Sequence, residues 1–152
     1  MDLLKALTPA AIVLGLQGST KVAVIEEMVD RLVADGRIKD RQTALQAIMA
    51  REQKMSTGMQ HGIAIPHGKT SAVDDLVALV GLKPEGVDFA SLDGQPARIF
   101  VLTLSPENRT GPHIQFLAEI SRQLNDGAVR EKILNATKPE DVLDALSGPA
   151  VA

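Results

Sequence analysis

The sequence predicts an α/β domain built on a mixed parallel and antiparallel sheet covered by helices. Three observations carry that prediction. Apolar runs of strand length alternate along the chain with segments of helical periodicity. One of those runs, Arg98 to Leu104, is almost uniformly apolar and suits the centre of a sheet buried on both faces. At 152 residues, 45% hydrophobic and 23% charged, the chain is long enough to bury its own core, so 1–152 is expected to form one domain without metal or disulfide.

The elements follow in order. Ala11 to Leu14 is a short strand that ends at Gly15 and Gly18. Ser19 or Thr20 then caps a helix with the apolar face Val22, Ile25, Met28, Val29 and Leu32, closed by Asp35-Gly36. Asp40 caps a second helix carrying Ala44, Leu45, Ile48 and Met49, which frays near Lys54, just beyond Arg51. The loop "MSTGMQHG" leads into Ile63-Ala64-Ile65. Leu76 to Leu82 is a strand, "KPEGVDF" a turn with an edge segment, and Arg98 to Leu104 the central strand. After the polar loop Ser105 to Gly111, Pro112 suits the first turn of a helix whose face is Ile114, Leu117, Ile120 and Leu124. Two shorter helices finish the chain. One runs from Asp126 to about Asn135, and the other from Thr137 to Leu146, with Thr137 and Glu140 at capping-box spacing and Gly148 as its stop.

Composition narrows the chemistry. There is no cysteine, which removes thiol nucleophiles, thiolate metal sites and thiol redox chemistry. Net charge is −3, the 16 Lys and Arg are scattered, and Trp and Tyr are absent, so no nucleic-acid partner is expected. No run approaches the roughly 20 apolar residues that span a bilayer, and the start "MDLLKALTPA" is not a signal peptide; no membrane insertion and a cytoplasmic location are expected.

Three histidines remain as candidates: His61, His67 and His113. His67 stands in "GIAIPHGKT", at the end of an alternating run; Ile63 and Ile65 point inward and His67 shares their face. Pro66 cannot donate to a ladder and Gly68 permits a sharp exit, so the ring is held at the end of a rigid strand. One ring nitrogen can act as nucleophile while the other is fixed by a hydrogen bond. The alternative is a simple polar turn. His113 follows Pro112 in the first turn of a helix, where unpaired N–H groups favour an anion and a neutral imidazole; the alternative is a solvated helix-start residue. Arg51 offers a planar anion-binding fork, or a surface salt bridge. Ser56 and Thr57 carry hydroxyls that could donate to a phosphate.

Other sites are excluded on spacing. A P-loop needs four residues between its glycines, and five separate Gly62 from Gly68-Lys69-Thr70, with Pro66 removing a backbone donor. Zinc is not expected: His61 and His67 are six residues apart, roughly 20 Å if extended, and no His pair has i,i+4 spacing. No G-x-S-x-G elbow occurs.

The stretches "REQKMSTGMQHGIAIPHGK" and "GPHIQFLAEISRQL" resemble the enzyme IIA domain of the bacterial phosphoenolpyruvate-dependent phosphotransferase system, in its fructose/mannitol and nitrogen-regulatory class. The resemblance runs from about Leu7 to Leu146 and rests on an Arg-Glu pair, a Ser/Thr-rich loop, G-I-A-[IVL]-P-H-G, and a His opening a helix 46 residues later. It implies that His67 is the phosphorylated residue, that His113 is the distal histidine and Arg51 the arginine before the loop, and that His61 has a flanking role. The family's usual T-G-I-G-x-G is altered here at Met59 and Gln60, which bears on loop shape and partner fit. The resemblance also implies phosphoryl transfer from the carrier protein HPr to His67 and onward to an enzyme IIB cysteine, or use of the phosphorylation state as a regulatory signal. No cofactor, metal or nucleotide is expected. A chain without a fused membrane or IIB segment is expected to lean toward regulation, and a homodimer is left open. A binding module that keeps the fold without transfer is the competing expectation.

Overall fold

The computed structural model describes residues 6–147. A single 3-10 turn, Pro9–Ala11, leads into β1 (Ile12–Val13); α1 (Lys21–Ala34) and α2 (Arg41–Lys54) follow, then β2 (Ile63–Ala64), β3 (His67–Lys69), β4 (Val77–Val87) and β5 (Ala97–Ser105). Three helices close the described chain: α3 (Thr110–Leu124), α4 (Gly127–Leu134) and α5 (Pro139–Ser147). The sheet is mixed, in the order β1-β4-β5-β2, with β3 also on β5. β1 runs parallel to β4, β4 antiparallel to β5, and β2 and β3 parallel to β5.

β5 is the central strand its composition predicts. Ile99, Phe100, Val101, Leu102 and Leu104 are all buried, and its two buried hydroxyls are bonded, Thr103 Oγ1 donating to the Val77 carbonyl at 3.0 Å and Ser105 Oγ to the Arg109 carbonyl at 3.3 Å. β2 and β3 form what is in effect one interrupted strand. Ile63 pairs with Ile99 and His67 with Thr103, so the register on β5 is preserved across the break at Ile65-Pro66.

The helix starts also follow local chemistry. Thr20 accepts from Ala23 N–H, Asp40 from Gln42 and Thr43 N–H, and Asp126 from Ala128 N–H. Four details differ from the sequence expectation. In α1, Val24 is buried and Val22 is 47% exposed; at about 100° per residue the stripe centres on Ile25 and Leu32, and Val22 falls on its flank. β4 does not stop at Leu82 but continues through "KPEGV" by a register shift between Leu82 and Val87. Gly86, at φ 88°, makes that possible, since a Cβ there would lie 2.7 Å from Pro96 Cβ. In α5 the helix starts at Pro139, so Asp141 and not Glu140 reaches back to the Thr137 N–H and hydroxyl; Gly148 lies outside the described residues.

The fourth difference matters most. α3 buries His113, Phe116, Ile120, Gln123 and Leu124, while Ile114 is 59% exposed and Leu117 half-buried. The face is rotated from the Ile114/Leu117 stripe, and the rotation turns His113 into the protein.

Candidate functional site

Ile65 turns both of its polar groups away from β5. The ladder there uses the Gly62 and Pro66 carbonyls, bonded by Ile99 and Thr103 N–H. Ile65 N–H instead donates to the Thr57 carbonyl at 3.1 Å, and its own carbonyl accepts from His67 Nδ1 at 2.9 Å. A carbonyl can only accept, so in the neutral ring Nδ1 carries the proton and Nε2 keeps a free lone pair. On the far side, α2 packs against β3 closely enough that a Cβ on Gly68 would lie 3.1 Å from the Ala47 carbonyl carbon. The half-buried His67 ring is therefore tied at Nδ1, and the strand that carries it is backed by α2.

His113 lies beside it. The two rings meet edge to face, with centroids 6.0 Å apart at 79°. His113 is 3% exposed and its Nε2 is buried with no hydrogen-bond partner among the described residues. Burial foremost, then the neighbouring His67 and Lys69, pushes its pKa down to about 4. It is a neutral imidazole with an unused polar atom, not a solvated helix-start residue.

A recess of about 490 Å³ opens here, lined among others by Arg51, Lys54, His67, Lys69, Thr110 and His113. A second, of about 270 Å³, shares Arg51, His67 and Leu117 with it and is walled by Met55 to Met59. Arg51 donates Nη1 to the Met55 carbonyl at 2.8 Å, so its guanidinium is held by the end of its own helix, and no carboxylate among the described residues pairs with it. Lys69, two residues beyond His67 on β3, donates Nζ to Thr110 Oγ1 at 2.7 Å and ties the strand to the start of α3. Three cations thus line the space around one free imidazole nitrogen, an arrangement suited to receiving an anionic electrophile.

Ser56, Thr57 and His61 are placed differently. Ser56 Oγ donates to the Phe89 carbonyl at 2.7 Å and accepts from Gly58 N–H. Thr57 is buried and directs both its N–H and its hydroxyl at Glu52. Both residues shape the second recess with donors already in use. His61 is exposed, at φ 66°, with its N–H on the Asp93 carboxylate, and it lines a separate recess of about 40 Å³ with Met59 and Gln60.

Sequence reasoning singled out neither Lys69 nor Glu52. Lys69 was readable as a neighbour of His67 at i+2, on the same side of a strand. Glu52 was visible only as half of an Arg-Glu pair; its burial depends on Lys21, whose Nζ lies 2.6 Å away from a different helix.

His113 sets a test in acid. Its folded pKa lies below the unfolded value of 6.5, so as pH falls from 6.5 toward 4 the unfolded chain takes up a proton that the folded chain refuses. Over that window folding stability is expected to drop by about 3 kcal/mol from this group, and to level below it. Asp40 and Asp141, whose pKa values are lowered mainly by hydrogen bonds to Thr43 and Thr137, lose their contribution at still lower pH. Urea titrations across pH 4 to 7 on wild type and His113→Gln check the assignment, because the variant is expected to show a flatter slope.

The chain was compared with known proteins. Residues 5–148 match the family model described as phosphoenolpyruvate-dependent sugar phosphotransferase system, EIIA 2. A fructose-specific EIIA component from Haloferax volcanii is 39% identical over 85% of this chain and 84% of its own length. A nitrogen regulatory protein from Pseudomonas aeruginosa is 32% identical over 88% of this chain and 87% of its own. A fructose-specific EIIABC component from Bacillus subtilis is 35% identical over 97% of this chain, which spans only 23% of that longer relative. Among solved structures, the nitrogen regulatory protein IIA-Ntr from Neisseria meningitidis superposes with TM-score 0.85 at 27% identity, over 96% of this chain and 100% of that one. The mannitol IIA of Escherichia coli, solved in complex with phosphorylated IIB, gives 0.80 at 28% identity, over 94% and 98%. With the family model covering nearly the whole chain and the fold shared with these relatives, the chain belongs to the EIIA type 2 family of the phosphoenolpyruvate-dependent sugar phosphotransferase system.

Proposed function

We propose that the protein, as one IIA domain working in the cytoplasm, takes a phosphoryl group from phospho-HPr onto His67 Nε2 and passes it to an enzyme IIB cysteine. The observation that carries this is the Nδ1–Ile65 hydrogen bond, which leaves Nε2 as the free nitrogen facing a cation-lined recess. The Nε2 lone pair attacks phosphorus as the N–P bond to the HPr histidine breaks and its electron pair returns to that ring. The His67 ring gains positive charge in the step, and the Ile65 carbonyl on Nδ1–H steadies it. Negative charge on the three equatorial oxygens is met by Arg51, by Lys69, and by a neutral N–H of His113. An attacking thiolate from IIB reverses the sequence, and the pair returns to Nε2.

The surface around the site suits a protein donor. Met55, Leu92 and Ile114 are 60%, 73% and 59% exposed and border the two recesses that His67 shares. Apolar side chains around a charged centre form the kind of patch that a partner buries. Ile114→Glu is expected to raise the KM for phospho-HPr about tenfold, an interface cost of about 1.4 kcal/mol, while labelling by the small donor phosphoramidate stays unchanged. An unchanged KM would remove Ile114 from the docking surface.

The decisive assay incubates the chain with phosphoenolpyruvate, enzyme I and HPr, and looks for acid-labile phosphate on His67. No label on the wild type would favour a binding module instead. The relatives named as nitrogen regulatory proteins support a second use, in which the phosphorylation state controls a target. Passage of label to an IIB cysteine separates transport from regulation.

A further inference from the structure

Glu52 is one residue past Arg51 at the end of α2, yet it faces inward and is 5% exposed. Its carboxylate meets Lys21 Nζ at 2.6 Å and accepts from Thr57 N–H at 3.1 and 3.2 Å and from the Thr57 hydroxyl. A buried ion pair is weak evidence of stabilisation, since well-packed apolar side chains would serve as well. What apolar side chains could not do is accept two directional hydrogen bonds and so fix the orientation of Thr57.

That orientation is passed on. The Thr57 carbonyl accepts the Ile65 N–H, and the Ile65 carbonyl accepts the His67 Nδ1–H. Ile65 has no ladder bond to β5 through these groups, and Pro66 has no N–H to offer, so Thr57 provides the hydrogen-bonding anchor for the Ile65 N–H. Thr57 is itself clamped between neighbours. Ser56 bonds the Phe89 carbonyl, and Lys21 lies 4.9 Å from the centroid of the Phe89 ring. The connected groups therefore run from α1, through the end of α2 and the 56–57 loop, to one imidazole nitrogen.

We propose that Glu52 is a positioning residue for His67: acting through Thr57 and Ile65, it fixes which ring nitrogen carries the proton and where the free nitrogen points. This rests on His67 as the phosphoryl acceptor, but its first readout does not. Supporting groups of this kind set the tautomer and aim of a histidine without touching what the ring reacts with.

The test uses the full chain and the variants Glu52→Gln, Thr57→Val and Thr57→Ser. Long-range 1H–15N NMR reads the His67 ring directly. Wild type is expected to show Nδ1 protonated and Nε2 bare; Glu52→Gln and Thr57→Val are expected to show a mixture of tautomers, and Thr57→Ser the wild-type pattern. Labelling of His67 by phosphoramidate, which needs no protein donor, is expected to slow at least about fivefold in the first two variants and recover in Thr57→Ser. Ile133→Val, a core change in α4 far along the chain, controls for loss of stability and is expected to leave the ring signals alone. Wild-type ring signals and labelling in folded Glu52→Gln would overturn the proposal and leave Glu52 a structural acid. If Glu52→Gln does not fold, Thr57→Val decides by the same two readouts. Failure of wild type to accept phosphate from phospho-HPr would sink the carrier reading, whereas the tautomer measurement would still return its own answer.

Discussion

His67→Ala is expected to leave the chain folded and to abolish uptake of phosphate. The ring is half-buried, its Nδ1 bonds Ile65 two residues away, and the pairing of β3 with β5 is made by backbone. Replacing it is expected to cost about 1 kcal/mol of stability. The chemical loss is total because nothing else in the recess can take its place. Arg51, Lys54 and Lys69 are cations, Thr110 already accepts from Lys69, and His113, 3% exposed, serves the proposed transfer as an N–H donor. Radiolabel from phosphoenolpyruvate through enzyme I and HPr, followed beside thermal melting, reads both halves. Equal labelling of wild type and variant would refute the assignment of His67.

His113→Ala is expected to slow transfer about a hundredfold, a rise of roughly 3 kcal/mol in the barrier, the usual cost of losing one preorganised donor. His67, the proposed acceptor, is untouched, so the variant is expected to keep its capacity for phosphate and to reach it late. The size of the effect follows from where the donor sits. A buried imidazole, neutral down to about pH 4 and 6.0 Å from its neighbour, presents an N–H that does not have to be stripped of water when phosphoryl oxygens arrive. Rapid-quench measurement with saturating phospho-HPr isolates that step. A wild-type rate would show that His113 does not stabilise the transferring group.

Three helix starts and the central strand were legible because they depend on neighbours in sequence. Thr20, Asp40 and Asp126 each cap within three residues, and β5 reads as central from composition alone. The face of α3 was not legible. Ile114, Leu117, Ile120 and Leu124 have a helical spacing as good as the set centred on His113, Phe116 and Ile120, and the choice between them is made by packing. Choosing the wrong one would leave His113 in solvent.

Of the candidate residues, the sequence marked His67, His113 and Arg51 without showing that they meet. Their proximity arises because β3 takes its place beside β5 and α2 closes on Gly68, contacts between segments far apart in the chain. Ser56 and Thr57 were read as phosphate donors because a hydroxyl in a polar loop looks free; Phe89 and Glu52 already occupy them.

By itself the sequence determined which side chains could do chemistry here, and it ruled out thiol chemistry by containing no cysteine. It also determined the local constraint at Pro66 between β2 and β3, but not a sharp exit at Gly68, because β3 starts at His67 and runs on through Gly68 to Lys69 along β5. Only the tertiary structure decided that Nδ1 of His67 is the ring nitrogen held by Ile65, that His113 is neutral, and that Glu52 is joined to that ring through Thr57 and Ile65. Protonation and aim depend on burial and on hydrogen-bond partners, and those are supplied by residues brought together from separate helices, strands and loops.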